Sequence, residues 1–513
     1  MANYLVGCDV GTGGTKAVVI DEGGKVLGSH FIEYPLETPR PGWAEHDPEV
    51  YWAAVADTIK ESIRQAKIDP KTIRGVSISA LSPACILVDK DLRPLQKAHI
   101  WMDRRATAEC KWLKENIGED RIFDLSGNPT DPYYAVAKLM WEKNNRPELY
   151  RQTYKIQTAA CYPRMKLTGR AVVDYSNASL MGICFDIRKK RWDERLAEEI
   201  GVDLEKLPDV YPCPEVVGEV TREAAERSGL APGTPVVAGT VDANAAWLAM
   251  GMVEAGDNSV VMGTAGVLGV CHEKPEFTRN MITIIHTSHC EKMYTTLMAL
   301  VSCGALIRYF RDTFGQTEMT AAKKLGISEY DILNLEAQKI PPGSDGLITL
   351  PYFMGERTPI WDPLARGVLF GLSLAHTRGH VIRSFMEGAG YGMLHNLELI
   401  RASGLYFKPY LTMGEGGAHS RLWRQIVSDI LNVKGAYMAE CPGAPLGNAV
   451  NAGVGVGVFK DHTVVRDWVA FTDHVEPDPA RNELYMKLYR VYLELYPNLR
   501  TTFENLAQAT GYL

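Results

Sequence analysis

Near the start of the chain, apolar residues gather in short blocks that glycine-rich polar stretches cut apart. Tyr4 to Val10 and Thr15 to Ile20 are largely apolar and β-branched, which predicts two strands joined by the turn "GTGG". "DEGG" then turns the chain into "KVLGSHFIEY", a predicted third strand. The same form returns in "NSVVMGTAGVLGVC", Asn258 to Cys271: an apolar strand, "GTAG", and another apolar strand. A hairpin repeated at the starts of two halves predicts a duplicated architecture, with one half over residues 1–251 and the other over 252–513. Just before the second hairpin, "TPVVAGTVDANAAWLAMG" reads as a short buried strand running into a helix, with Asp242 at the joint. At the far end Leu484, Leu488, Tyr492 and Leu495 fall near helical spacing and predict a terminal packing helix.

The first turn carries candidate chemistry. A Walker-type phosphate loop opens a helix after its lysine, whereas here "AVVID" continues as strand. Backbone N–H groups of such a hairpin turn can share one concavity and hold phosphate oxygens, supplemented by the Thr12 and Thr15 hydroxyls and the Lys16 charge. Asp9 would repel a phosphate unless a cation lay between them, which points to Mg²⁺ held through water. A glycine-rich hairpin alone is more often only a hairpin. Its echo changes the weighting, because two phosphate-type hairpins suggest two halves facing one ATP across a cleft. At Asp242, N-cap geometry and the helix dipole favour an ionised carboxylate, and a plain N-cap is the competing account.

Composition narrows the class. The chain has 513 residues, 46% hydrophobic and 23% charged, as a soluble globular protein of more than one domain would have. A net charge of −7 without a basic block argues against nucleic acid or an anionic membrane as partner. Ten cysteines without a C-x-x-C pair, and opening residues without the charged-then-apolar signal pattern, point to the cytoplasm. No apolar run reaches the ~18 residues of a membrane span. His286, His289 and Cys290 form the one metal-like cluster. They lie inside the alternating stretch "ITIIHTSHCEKMYTT", read as strand, which would put neighbours on opposite faces and keep them from one ion.

Taken in order, these segments resemble the FGGY family of carbohydrate kinases, of the xylulokinase and glycerol kinase kind, over nearly the whole chain. "GCDVGTGGTKAVVID" is similar to the family's first phosphate motif and "VMGTAG" to its second. "PGWAEHDPEVYW" is similar to its early segment, and "HIWMDRRATAEC" to a substrate-domain motif. "GLAPGTPVVAGTVDANAAWLAMG" resembles the segment with the catalytic aspartate. "CGALIRYFRD" resembles a nucleotide-side helix, and "GGAHSRLWRQIVSDIL" with "PGAPLGNAVNAGVGVG" an adenosine motif. The resemblance implies an α/β fold of two ribonuclease-H-like domains, of the actin/Hsp70 ATPase type, around a central cleft for ATP and substrate.

The resemblance also implies roles. Asp242 would be the general base, with Asp9 and Asp242 near Mg²⁺. Gly11, Thr12, Gly13, Thr15, Lys16, Gly263 and Thr264 would meet phosphate, and Gly304, Arg308, Gly416, Gly417 and Arg421 would line the nucleotide side. Ser82, Trp101, Asp103, Arg104, Tyr133 and Asn244 would face a small sugar or polyol, Trp101 by stacking on its apolar face. Phosphoryl transfer to an alcohol needs such a set: a base, an aligned acceptor and donors for the phosphoryl oxygens. A homodimer is compatible with the sequence, which does not fix the oligomeric state.

Three departures stand against the pattern. Ser82 and Pro83 occupy the place where relatives grip the acceptor with a larger polar pair. Ala243, with Asn244 one place on, follows the aspartate where Gln or Asn is common, and Glu415 stands in "MGEGGAHS" where glycine is usual. An actin- or Hsp70-type ATPase and a non-catalytic sugar-binding paralogue therefore stay open as alternatives. The stretch from Pro341 through "GERTPIWDP" to the following helix reads as framework.

Overall fold

A computed structural model describes residues 3–438 and 443–511. Cys441, and Pro442 of the PGAPLGNAVNAGVGVG segment, lie outside the described residues.

The predicted hairpins form, and each seeds a sheet. In the first half, β1 (Tyr4–Val10), β2 (Gly14–Asp21) and β3 (Val26–Glu33) run antiparallel, and helix α1 (Pro48–Ala66) leads to β4 (Ile73–Ala80), which pairs parallel with β1. Strands β5 (Val216–Glu219), β6 (Pro235–Val237) and β7 (Thr240–Val241) complete a seven-stranded sheet ordered β5-β6-β4-β1-β2-β3, with β7 on β4. Helix α2 (Asp242–Ala249) follows directly.

The second half repeats the plan. Strands β8 (Asn258–Met262), β9 (Gly266–His272), β10 (Ile282–Ile285) and β11 (Tyr294–Leu300) are followed by helices α3 (Gly304–Phe314) and α4 (Arg378–Ala402), then strand β12 (Tyr410–Gly414). Helix α5 (Arg421–Leu431), strand β13 (Lys434–Tyr437), helix α6 (Ala444–Gly455), strand β14 (Asp473–Val475) and helix α7 (Pro479–Ala509) end the chain. The sheet order is β10-β11-β9-β8-β12-β13-β14. Its β12-β8-β9-β11 core has the same parallel, antiparallel, antiparallel sequence as β4-β1-β2-β3. Helices cover both sheets, and the fold is the two-domain α/β class expected.

Helix α6 lies late in the chain yet packs on the first sheet and on α2. A Cβ on Gly7 would stand 1.8 Å from Pro445 O, and one on Gly447 would stand 1.9 Å from Ala245 O. Only glycine permits that approach of backbone to backbone. Two aliphatic faces therefore clamp α6 where a sequence reading places it with the second half.

Three local expectations are corrected. The alternating stretch breaks after Ile285 and resumes at Tyr294, so His286, His289 and Cys290 lie in the connecting turn rather than along a strand; His289 takes φ 50° and His286 Nδ1 accepts from Ser288 N–H at 3.0 Å. The terminal helix buries Tyr485, Tyr489 and Tyr492 with Leu495, while Leu484 is exposed. The tyrosines win that face because each hydroxyl finds a hydrogen-bond partner: Glu387, Glu398 and Tyr352. Finally, Val241 is the N-cap of α2 and Asp242 its first residue, so the Asp242 carboxylate does not cap. Among the described residues no helix is long and apolar enough to cross a membrane.

Candidate active site

Between the two sheets lies a cavity of about 770 Å³. Asp9 from the end of β1, the turn Gly11–Thr12–Gly13–Gly14, and Lys16 from β2 line one side. The turn is closed by Gly11 N–H donating to Gly14 O at 2.8 Å, and Asp9 pairs across the hairpin with Lys16. Ser79 Oγ donates to Asp9 Oδ1 at 2.6 Å, and Asn448 Nδ2 of α6 donates to Ser79 Oγ at 2.6 Å. A helix remote in sequence thus fixes the aspartate. Thr15 lies behind the turn, buried, with its hydroxyl 3.1 Å from Tyr34 Oη.

Asp242 enters the same cavity from the start of α2. Its carboxylate accepts from Ala243 N–H at 2.7 Å. Burial and then the Asp9 charge raise its carboxyl well above the ordinary range, and burial and Glu415 raise Asp9. Two carboxylates that repel each other within one cavity suit a hard divalent cation. No group of three His, Cys, Asp or Glu side chains among the described residues forms a metal cage. That donor set fits Mg²⁺, which takes one or two carboxylates and keeps water and phosphate oxygens for the rest.

The acceptor side holds Ser82, Trp101 and Tyr133. Trp101 Nε1 donates to Thr12 Oγ1 at 3.1 Å, which ties this wall to the phosphate turn. Tyr133 Oη donates to Ser82 O at 2.9 Å, and Ser82 Oγ donates to Asn177 Oδ1 at 3.1 Å. The Ser82 side chain is therefore engaged. Asp103, Arg104 and Asn244 stand outside the lining. Asp103 is buried in a bidentate pair with Arg105, Arg104 forms a fork with Asp131, and Asn244 donates to Ser176 Oγ and Ile285 O.

A second cavity, about 670 Å³, lies on the far side of the second hairpin. Gly263, Thr264, Gly304, Arg308, Gly416 and Gly417 line it, and an Arg308 Nη donates to Thr264 Oγ1 at 3.0 Å. Arg421 does not join them, being held in an ion pair with Asp473. The sequence reading missed Ser328, Tyr330, Asp331 and Asn334, which complete the wall. They sit in a helical segment without a motif of its own.

Two further residues gain a place only in three dimensions. Arg357, from the segment read as framework, lines the first cavity with its guanidinium 5.2 Å from the Trp101 ring. Among the described residues it has no ion pair, and its Nε is buried without a hydrogen-bond partner. Glu415 lines both cavities. Its backbone, at φ 64° and ψ −170°, occupies a region that is essentially glycine's own, at a cost of about 1–3 kcal/mol.

The sequence and the fold recur in known proteins. The family models for the N-terminal and C-terminal domains of the FGGY family of carbohydrate kinases match residues 4–249 and 258–456. A gluconokinase of Bacillus subtilis (strain 168) is 31% identical over 98% of this chain and 97% of its own. A xylulose kinase of the same strain is 28% identical over 99% of this chain and 98% of its own. The crystal structure of xylulose kinase from Rhodospirillum rubrum superposes with a TM-score of 0.88 at 28% identity, covering 98% of this chain and all of that one, 100%. With both domain models matched in order and the relatives aligned end to end, the chain belongs to the FGGY family of carbohydrate kinases, and it is a phosphotransferase acting on a small sugar or polyol.

Proposed function

We propose that the chain transfers the γ-phosphoryl group of ATP to a hydroxyl of a four- to six-carbon ketose or polyol, with Asp242 as general base. The observation that carries this reading is one cavity lined at once by Asp242, the Asp9–Lys16 phosphate turn and the Trp101–Tyr133 wall. Asp242 takes the proton of the acceptor hydroxyl, whose oxygen forms the new bond to phosphorus as the bond to the ADP oxygen breaks. A carboxyl raised above the ordinary range holds that proton more readily than a free aspartate would. Thr12, the turn amides and Lys16 hold the phosphoryl oxygens, and Trp101 keeps the acceptor against the turn. Mg²⁺, when bound near Asp9 and Asp242, neutralises charge on the phosphates. Arg308 and the glycines of the second cavity would receive the nucleotide. The buried thiols and the need for ATP suit the cytoplasm.

Glycerol is expected to be a poor acceptor. Ser82 spends its hydroxyl on Asn177, and an unpaired substrate hydroxyl costs about 1–3 kcal/mol, or roughly 10–200-fold. A second reading rests on Arg357: a guanidinium without an ion pair in the acceptor cavity favours a carboxylate, hence a sugar acid of the kind named for the gluconokinase relative. An ADP-release screen over pentuloses, hexuloses, tetritols, pentitols, aldonates and glycerol tests both. A kcat/KM for glycerol above every larger acceptor overturns the first reading. Aldonates no better than the matching polyols overturn the second.

A further inference from the structure

Glu415 is the one described residue that lines both cavities. Its carboxylate leans over the second phosphate hairpin: a Cβ added at Gly263 would stand 2.8 Å from Glu415 Oε2. Lys16, Arg308 and Arg357 line the two cavities, yet among the described residues no cation lies within ion-pair distance of it. Solvent in the cleft reaches the side chain, while the surrounding protein raises its carboxyl above the ordinary range. A nucleotide with its base in the second cavity and its terminal phosphate in the first must pass its phosphate chain beside Glu415. This rests on the nucleotide reading given above.

We infer that Glu415 makes the enzyme discriminate between the metal complex of the nucleotide and the free polyanion. Free ATP brings its full negative charge against an unpaired carboxylate, with Asp9 and Asp242 in the same cavity. The divalent cation removes most of that repulsion, because an opposite charge then stands among the three carboxylates and the phosphates. The side chain thus acts as a charge filter at the passage between the cavities, in a position where glycine would leave the passage neutral and the backbone relaxed.

The test is equilibrium binding of three probes to the whole protein, by calorimetry or tryptophan fluorescence: ATP with EDTA, ATP with saturating Mg²⁺, and adenosine. E415Q removes the charge and keeps the backbone; E415G removes both charge and strain, so it serves if the glutamine variant folds poorly. The wild type is expected to bind the Mg²⁺ complex far more tightly than free ATP. In both variants free ATP should bind about tenfold or more tightly than to wild type, the scale of one like-charge contact at a protein surface, with the Mg²⁺ complex and adenosine changed less than about threefold. An unchanged ratio of free to metal-bound affinity overturns the inference alone. Adenosine gaining as much as free ATP also overturns it, since adenosine carries no phosphate. Failure of the wild type to bind any of the three probes overturns it together with the nucleotide reading.

Discussion

The two phosphate hairpins share a shape and differ in charge. In both, an apolar strand enters a Gly-Thr turn and a second strand leaves it, paired on one side with a parallel neighbour. In the first, Asp9 and Lys16 face each other at the mouth. In the second, Val261 and Val267 hold the corresponding pair of positions, and the turn is one residue tighter. Charge reaches the second hairpin from elsewhere, through Arg308 on α3 and Glu415 after β12. Duplication supplied two cradles of backbone amides, and asymmetric side chains set one apart as the proposed reaction centre and the other as the proposed binding seat.

The largest effect should come from the proposed base beside the charged hairpin. Asp242→Asn is expected to keep fold and ATP binding and to lower kcat by about 10²–10⁴-fold, the scale of a lost general base. Near wild-type turnover in a steady-state assay would remove Asp242 from that role.

Next comes the charge difference itself. Asp9→Ala should weaken Mg²⁺ affinity about 10–100-fold, whereas Val261→Ala should leave it within about twofold, since an alkyl group offers the ion no ligand atom. Mg²⁺ titration of both variants decides whether the asymmetry is functional. The same variant carries a pH signature. Asp9 helps to raise Asp242, and the base works only when ionised, so wild-type kcat/KM should be full above the raised value and fall away below it. Without Asp9 the acid limb should move to lower pH, and a stationary limb would show that the two carboxylates do not communicate.

Smaller effects belong to the second hairpin. Arg308→Ala removes a charge-assisted donor beside Thr264 and should raise the ATP dissociation constant roughly tenfold, from about 1.5 kcal/mol, with the acceptor KM unmoved. The smallest should be Trp101→Phe. It deletes the bond to Thr12 at about 0.5–1 kcal/mol, so acceptor kcat/KM should fall only a few fold while ATP affinity holds. A larger loss in ATP affinity would mean that Trp101 shapes the phosphate turn rather than the acceptor wall.

Much of the candidate site was legible because the residues that line it sit on local motifs. Asp9, Thr12 and Lys16 are spaced by a hairpin, and a hairpin's register places them without help from distant residues. Asp242 was legible for the same reason, at a strand-to-helix joint. Legibility failed where two local accounts were equally good. Asp103 and Arg104 look like ligand-binding residues in "WMDRR", but Arg105, two places on, neutralises Asp103 within the motif itself, and Asp131, remote from the motif, neutralises Arg104. The terminal helix shows the same limit: heptad-like spacing fits Leu484 or Tyr485 alike, and only the carboxylates of α4, Glu387 and Glu398, choose the tyrosine face.

The sequence by itself determined the duplicated hairpins, the joint that presents Asp242 and the absence of a charged pair in the second hairpin, since each depends on contacts within a few residues. Tertiary structure alone decided that α6 would cross to the first sheet and steady Asp9 through Asn448 and Ser79, that Arg357 would reach the acceptor cavity from a framework loop, and that Glu415 would stand between the two cavities. Those outcomes depend on how close two segments hundreds of residues apart can come, and packing of glycine-bearing surfaces sets that distance.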